Sequence, residues 1–153
     1  MSRWTATQMV WMDTQKEILD SELPHFQFHD QDQYGLTTVR GRHVSVAGYT
    51  YELAVWLKGG APHEMPGLYV LSPCPLMCYE NTITMTSHGT SHRMHVWETD
   101  WALNTKICFC KTEYWNPAET IVGILFKAFL WIEAYEVHCR TGKPIDDYSL
   151  SYA

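Results

Sequence analysis

The stretch NTKICFCKTEYWNP, residues 104–117, decides how the rest of the chain is interpreted. It places Cys108 and Cys110 one residue apart on an apolar strip and ends in Trp115 and an Asn-Pro pair, directly before a long helical pattern. In an extended strip the two thiols would point the same way, because alternate side chains of a strand share a face. Four interpretations are open: half of a metal site, a redox pair, two buried hydrophobic residues, or a nucleophile beside a second thiol.

An irregular segment precedes this stretch and an apolar helix follows it. Residues 87–105, SHGTSHRMHVWETDWALNT, show no sustained period, and long irregular segments inside a domain are usually functional or mobile. Residues 118–140, AETIVGILFKAFLWIEAYEVHCR, are nearly apolar all round. They predict a helix that begins around Pro117, ends at Gly142 and Pro144, and forms the centre of the core.

The N-terminal half predicts one helix followed by strands. An apolar stripe from Trp4 to Leu19 indicates a helix that stops before Pro24, and residues 25–35 indicate a connector. Period-two alternation predicts strands at Val44 and Val46, at Tyr51, Leu53, Val55 and Leu57, and at 81–86, the last as an edge strand. The run 68–73 predicts a short buried strand. We expect a single α+β domain over residues 1–153, with an N-terminal helix, a four-stranded antiparallel meander, an active-site loop and C-terminal helices.

Composition excludes several classes of function. With 46% hydrophobic residues and a net charge of -6, the 153-residue chain should form an ordered core, and it has no run of Lys or Arg of the kind that binds nucleic acid. The N-terminus shows no apolar signal core and no apolar run is long enough to span a bilayer. A cytoplasmic protein without membrane contacts is therefore expected. Its five cysteines, an odd number, should be reduced.

Zinc or redox chemistry would need better spacing than this chain offers. The ligands available are Cys74-x3-Cys78, His88-x3-His92-x2-His95 and Cys108-x-Cys110. Structural zinc usually uses Cys-x2-Cys turns, and thioredoxin-like pairs need two intervening residues at a helix start. We therefore expect no metal and no cofactor. The remaining expectations are small buried hydrophobic roles for Cys74, Cys78 and Cys139, a hydrogen-bonded His138, and loop histidines that are mostly solvated.

The order of elements and the local motifs resemble one known family. A helix, a strand meander, a long loop, ICF at 107–109, WNP at 115–117 and a final helix follow one another. This order is similar to the ubiquitin-conjugating enzyme (UBC) fold, whose active cysteine lies in an ICL-like strip followed by a WSP-like tripeptide. WIEAYEVHCRTGKPI, residues 131–145, resembles the WLxxYExxxxTG pattern of bacterial relatives. The likeness covers most of the chain in element order, and its specific residues lie between Ile107 and Gly142.

This resemblance implies that Cys108 carries the C-terminus of a ubiquitin-like protein as a thioester and passes it to an amine. No cofactor is needed at that step, because the activating enzyme uses the ATP. The family's His-Pro-Asn tripeptide is absent, and Asp100 stands eight residues before Cys108. His95, Asp100 and Asn104 are therefore candidates for loop support, oxyanion donation or amine deprotonation.

The resemblance also implies partners. A ubiquitin-like protein and a ubiquitin-activating-type enzyme would act directly with the cysteine. Bacterial relatives also often share an operon with a deubiquitinase-like peptidase and are linked to antiphage defence. The activating enzyme is expected to dock on the polar face of the first helix, which carries Asp13, Lys16, Glu17 and Asp20.

Two alternatives stay open. A catalytically inactive UBC-fold module would bind a ubiquitin-like protein or its activating enzyme through the first helix and the sheet, and a zinc-stabilised interaction domain would use the Cys and His residues. An active enzyme instead needs a thiolate, and Lys106 or Lys111 is expected to bring the pKa of Cys108 down towards neutrality.

Overall fold

The chain folds as an N-terminal helix, an antiparallel sheet and a long C-terminal helix, in a computed structural model that describes residues 3–148. Its helices and strands are α1 (Ala6–Glu22), β1 (Gln27–His29), β2 (Thr38–Val44), β3 (Thr50–Trp56), β4 (Gly67–Ser72), β5 (Val96–Trp97), β6 (Thr105–Ile107) and α2 (Ile121–Thr141). The sheet has six strands in the order β1-β2-β3-β4-β6-β5, so the predicted four-stranded meander is wrong in its strand number. The predicted α+β class with a helix at each end is confirmed.

Local sequence sets the start of α1 and its contact with α2. The hydroxyl of Thr5 accepts a hydrogen bond from the backbone N–H of Gln8, whose side chain accepts one from the backbone N–H of Thr5. This reciprocal pair satisfies two N–H groups that the first helical turn leaves free. The helix ends before Pro24, as predicted. The buried Gln15 accepts a hydrogen bond from the N–H of Ile121 at 2.9 Å, which joins α1 to the first turn of α2.

The C-terminal helix begins later than predicted and ends where predicted. Thr120 caps it by accepting a hydrogen bond from the N–H of Gly123 at 3.0 Å, so the helix starts at this polar side chain and not at Pro117. Gly142 ends it with a φ of 78°, a left-handed conformation that costs glycine little. In the described part of the chain, one α-helix followed by the 3₁₀ turn Ile145–Tyr148 stands where several C-terminal helices were expected.

One face of the sheet packs against α2. The predicted alternation holds in β3, where the side chains facing α2 belong to Tyr51, Leu53 and Val55. It fails for Val44 and Val46, which are exposed. His43, one residue before Val44, faces inward and stacks on Phe129 of α2. Val44 therefore falls on the opposite face, because side chains alternate along a strand.

Two further strand predictions are wrong. Residues 27–29, inside the expected connector, pair with β2 as the edge strand β1. Residues 81–86 form no strand, because the 3₁₀ turns Tyr79–Asn81 and Met85–His88 limit their pairing to one isolated bridge, from Thr84 to Met77. Within residues 3–148, neither helix is both long enough and apolar enough to cross a membrane.

Candidate functional site

Cys108 lies directly after β6, where the chain leaves the sheet on its way to α2. β6 pairs with β4 on one side and with β5 on the other. The pairing with β5 reaches Ile107, one residue closer to Cys108 than the pairing with β4. The backbone N–H of Cys108 donates to the carbonyl of His95 at 2.8 Å. Ile107 and Phe109 on either side are buried, whereas Cys108 is only partly buried. The thiol is therefore held at a fixed strand end with one side open to solvent.

Two tryptophans support this segment by packing and hydrogen bonding. The indole N–H of Trp115 donates to the carbonyl of Pro62 at 2.9 Å, and its ring meets Phe109 edge-on with centroids 6.0 Å apart. The indole N–H of Trp131, fully buried in α2, donates to the carbonyl of Met94 at 3.1 Å. Both anchors fix the backbone around Cys108 and around the residue before His95.

The thiol of Cys108 is not activated in the expected way. Partial burial raises its pKa above the ordinary cysteine value, and the positive charge of Lys111 opposes this only weakly. Lys106 is engaged elsewhere, since its ammonium lies 3.3 Å from the carboxylate of Asp100. The prediction that Lys106 or Lys111 brings the pKa of Cys108 down towards neutrality is therefore wrong.

The neighbouring Cys110 has a different environment. Its side chain is buried, and its thiol donates to the carbonyl of Lys111 at 3.2 Å. The thiol of Cys108 is directed instead at the carbonyl of Cys110, at 3.8 Å. The strip is thus no extended strand at this point, and Cys108 is the more accessible of the two thiols. Elsewhere Cys78 is buried as expected, Cys139 is partly buried, and Cys74 is exposed, which corrects the prediction for Cys74.

Asp100 belongs to a charged and aromatic cluster on the sheet face that points away from α2. Its carboxylate accepts hydrogen bonds from the hydroxyl of Tyr69 and from the ammonium of Lys58, the latter at 3.0 Å. The rings of Trp56, Tyr69 and Trp101 pack around this group. Burial alone would raise the pKa of Asp100, but these hydrogen bonds and the nearby ammonium groups lower it to about 2. Asp100 is therefore already engaged by cations on this outer face.

We expect Asp100→Asn to destabilise the fold at neutral pH and to have a smaller effect in acid. The carboxyl pKa is depressed in the folded state, so its stabilisation is complete above the unfolded value of about 4 and disappears as the pH falls towards 2. Urea unfolding at pH 7 and at pH 3 would measure the difference in the free energy of unfolding between the wild type and this variant, which should be smaller at pH 3. Asp32→Asn, at an exposed position, is the control for removing one charge, and a gap of equal size at both pH values would contradict the prediction.

Asn104 lies at the turn between β5 and β6. Its backbone N–H donates to the carbonyl of Trp101 at 3.0 Å, and its residue is partly exposed. The sequence grouped Asp100 and Asn104 with His95 by their distance from Cys108 along the chain. The structure separates them: Asp100 and Asn104 belong to this hairpin turn, and the residue level with Cys108 across the strand pair is His95.

His95 is buried, whereas His88 and His92 are exposed, as expected for loop histidines that are mostly solvated. Its Nε2 lies 2.6 Å from a carboxylate oxygen of Asp146, and the hydrogen bond from His95 keeps the pKa of Asp146 below its usual value. The backbone N–H of Asp146 donates to the carbonyl of Arg93 at 2.9 Å. Asp146 was missed by sequence reasoning, because 51 residues separate it from His95 and no local pattern connects them.

Comparison with family models, curated proteins and solved structures finds no match for this chain. Its function is therefore argued from its own residues.

The polar face of α1, on which a docking surface was expected, is exposed. Its four charged residues, all exposed, are Asp13, Lys16, Glu17 and Asp20. The carboxylate of Asp13 accepts a hydrogen bond from the side chain of Gln31 at 3.1 Å, which leaves most of the face without a contact that the fold requires.

His138 has the predicted structural role: it accepts a hydrogen bond from the N–H of Tyr79 and pairs with the carbonyl of Lys143 at 2.7 Å.

Proposed function

We propose that this chain is a ubiquitin-like protein conjugating enzyme of the UBC type, in which Cys108 carries the modifier as a thioester. The observation that carries the proposal is the partly open thiol of Cys108, placed between the last strand and α2 and positioned by its N–H bond to the carbonyl of His95. The element order supports it, since an N-terminal helix, an antiparallel sheet and a cysteine segment lead into one long helix. The UBC resemblance of the sequence describes the same order.

The proposed chemistry consists of two acyl transfers. The deprotonated sulfur of Cys108 attacks the carbonyl carbon of the thioester on the activating enzyme, a new C–S bond forms, and the activating enzyme's thiolate leaves. An amine then attacks the same carbonyl, the C–N bond forms, the amine loses a proton and the thiolate of Cys108 departs. Both steps pass through an oxyanion, which polar or backbone donors must stabilise. ATP is used by the activating partner, so this chain needs no cofactor.

Burial raises the pKa of Cys108, and a thiol with a high pKa is a poorer leaving group, which slows transfer of the modifier to water and to amines alike. The same shift reduces the fraction of thiolate at neutral pH and so slows charging. A docked activating enzyme would have to supply the base or the positive field that removes the proton.

His95 is the side chain that we place in the supporting role at this site. Its backbone carbonyl holds Cys108, and its buried ring is held by Asp146. Asp100, by contrast, is held by Lys58 and Tyr69 on the outer face. We therefore assign loop support to His95, and leave to Asp100 and Asn104 the role of shaping the β5–β6 turn.

The partners follow from this proposal. They are a ubiquitin-like protein, a ubiquitin-activating-type enzyme and a deubiquitinase-like peptidase, in a cytoplasmic system of the antiphage type. Proteins encoded by neighbouring genes are the first to test. Incubation with such an activating enzyme, ATP and modifier should give an adduct on this chain that a thiol reductant removes.

A second candidate is an inactive UBC-fold module that binds a ubiquitin-like protein or its activating enzyme. The observation that favours it is the burial-raised pKa of Cys108, with the ammonium of Lys106 paired to Asp100. This candidate predicts tight binding of a partner and no adduct. The proposed enzyme predicts both binding and an adduct, so one reaction mixture distinguishes them.

Exchanging two charges on α1 should slow charging without disturbing the fold. Lys16→Glu combined with Glu17→Lys keeps the net charge but reverses the local pattern on an exposed face, which should lower the charging rate about tenfold at low salt if the activating enzyme docks there. Stopped reactions resolved on non-reducing gels would give the rate. Salt near 0.5 M should largely abolish the difference, because the Debye length then falls below about 5 Å. Equal rates at low salt would place the docking surface elsewhere.

A further inference from the structure

Three possible metal ligands meet beside the site, although they are far apart in the sequence. The ligand atoms of His92, His95 and Asp146 all lie within 4.8 Å of one another. The carboxylate oxygen of Asp146 is 2.6 Å from Nε2 of His95 and 3.5 Å from Nε2 of His92. Sequence spacing alone argued against zinc, because the third ligand comes from the turn after α2 and belongs to no Cys or His motif.

We infer that His92, His95 and Asp146 bind one divalent transition-metal ion, with zinc as the ion to test. Zinc accepts imidazole nitrogen and carboxylate oxygen at about 2.0–2.2 Å in a tetrahedral arrangement, in which neighbouring ligand atoms are roughly 3.4 Å apart. The oxygen of Asp146 and Nε2 of His92 already have this separation, at 3.5 Å. The pair formed with His95 would open by less than 1 Å as the ion replaces the proton shared between Nε2 and the carboxylate.

Two of the three ligands are held in place by the fold. The His95 side chain is 6% exposed, and the backbone of Asp146 is fixed by its bond to the carbonyl of Arg93 and by the fully buried Ile145 beside it. His92 is 68% exposed, so its side chain alone has to be ordered. Ligands that are already positioned reduce the entropy cost of binding.

The type of ligand determines the class of ion. Two imidazoles and one carboxylate suit zinc and neighbouring first-row metals, whereas magnesium and calcium prefer ligand sets made of oxygen. Three protein ligands leave a fourth position for water or for a group from a partner. The bound ion would link the turn Ile145–Tyr148 to the segment that ends at His95, whose carbonyl accepts the hydrogen bond from the N–H of Cys108. This inference does not depend on the conjugating activity, since its readout is metal binding.

Zinc titration of the full chain, stripped with chelator and kept reduced by a phosphine, tests the site. Calorimetry and native mass spectrometry should show one zinc per chain in the wild type. His92→Ala and Asp146→Asn should each weaken binding at least tenfold, the lower end of the ~10–100-fold loss seen for support residues of metal sites. His63→Ala is the matched control, because it removes an exposed histidine from another loop and should leave binding unchanged.

A second variant separates this site from the pair formed by Cys78 and His88. The sulfur of Cys78 lies 3.4 Å from Nε2 of His88 and could hold zinc by itself. Cys78→Ser should retain the tight zinc ion. Zinc that is lost in Cys78→Ser but retained in His92→Ala would overturn the inference, and so would a wild type that binds no stoichiometric zinc. Because His92 is exposed, His92→Ala should keep the fold and remains informative even if Asp146→Asn loosens the turn.

Discussion

Cys108→Ala should abolish the reductant-sensitive adduct in a charging reaction, whereas Cys110→Ser should leave it intact. Cys108 is the partly open thiol at the end of β6, while Cys110 is buried and donates to the carbonyl of Lys111. The effect is all or none, because the thioester has no sulfur on which to form. Non-reducing gels with and without reductant, followed by intact mass, measure it directly.

Controls for this experiment come from the same chain. Cys108→Ser should give no adduct, or an oxyester that resists the reductant, since a hydroxyl forms an ester in place of a thioester. Cys74→Ser removes the exposed thiol and should leave charging unchanged. An adduct that survives Cys108→Ala and disappears in Cys110→Ser would move the site by two residues. No adduct in any variant, with an activating enzyme shown to load itself, would favour the inactive binding module.

Trp131→Ala should give the largest loss of stability among single substitutions in α2, about 3–5 kcal/mol in the free energy of unfolding. Trp131 is fully buried and stacks on Tyr135 with ring centroids 5.4 Å apart. Its indole N–H also donates to the carbonyl of Met94, so truncation leaves a cavity and an unpaired buried carbonyl. Urea denaturation monitored by circular dichroism would give the free-energy difference.

Two matched substitutions separate these contributions. Trp131→Phe keeps an aromatic ring but removes the N–H, and should cost about 1–3 kcal/mol, the usual cost of an unsatisfied buried partner. Leu130→Ala, one residue away on the exposed side of the same helix, should change stability by no more than about 0.5 kcal/mol. Comparable losses at Leu130 and Trp131 would show that the core is not where the structure has it.

Much of the fold was predictable because its signals are local. The capping Thr5 and Pro24 bracket α1, the alternation of Tyr51, Leu53 and Val55 marks β3, and Gly142 ends α2. In each case the burial period or the backbone conformation is set within one element. Residues 81–86 misled the prediction because they alternate like a strand, yet their backbone groups pair with the turn just before them.

The short strands escaped prediction for a different reason. β1 has three residues and β5 has two, too few for a period to show. Such strands exist because a neighbour offers free backbone groups: β2 for the first and β6 for the second. Their identity depends on pairing between segments, which no window of sequence contains.

The candidate site likewise combines features that local sequence indicates with features that depend on tertiary contacts. The sequence by itself determined the α+β class and the apolar core helix, because these follow from composition and periodicity. Its resemblance to the UBC fold selected Cys108 as the cysteine to examine. Only the tertiary structure decided that His95 lies level with Cys108, that Asp100 is held by Lys58, and that Asp146 reaches His95. The physical reason is that hydrogen bonds and burial act over a few ångströms of space, and only the folded sheet and helix bring residues 51 positions apart within that range.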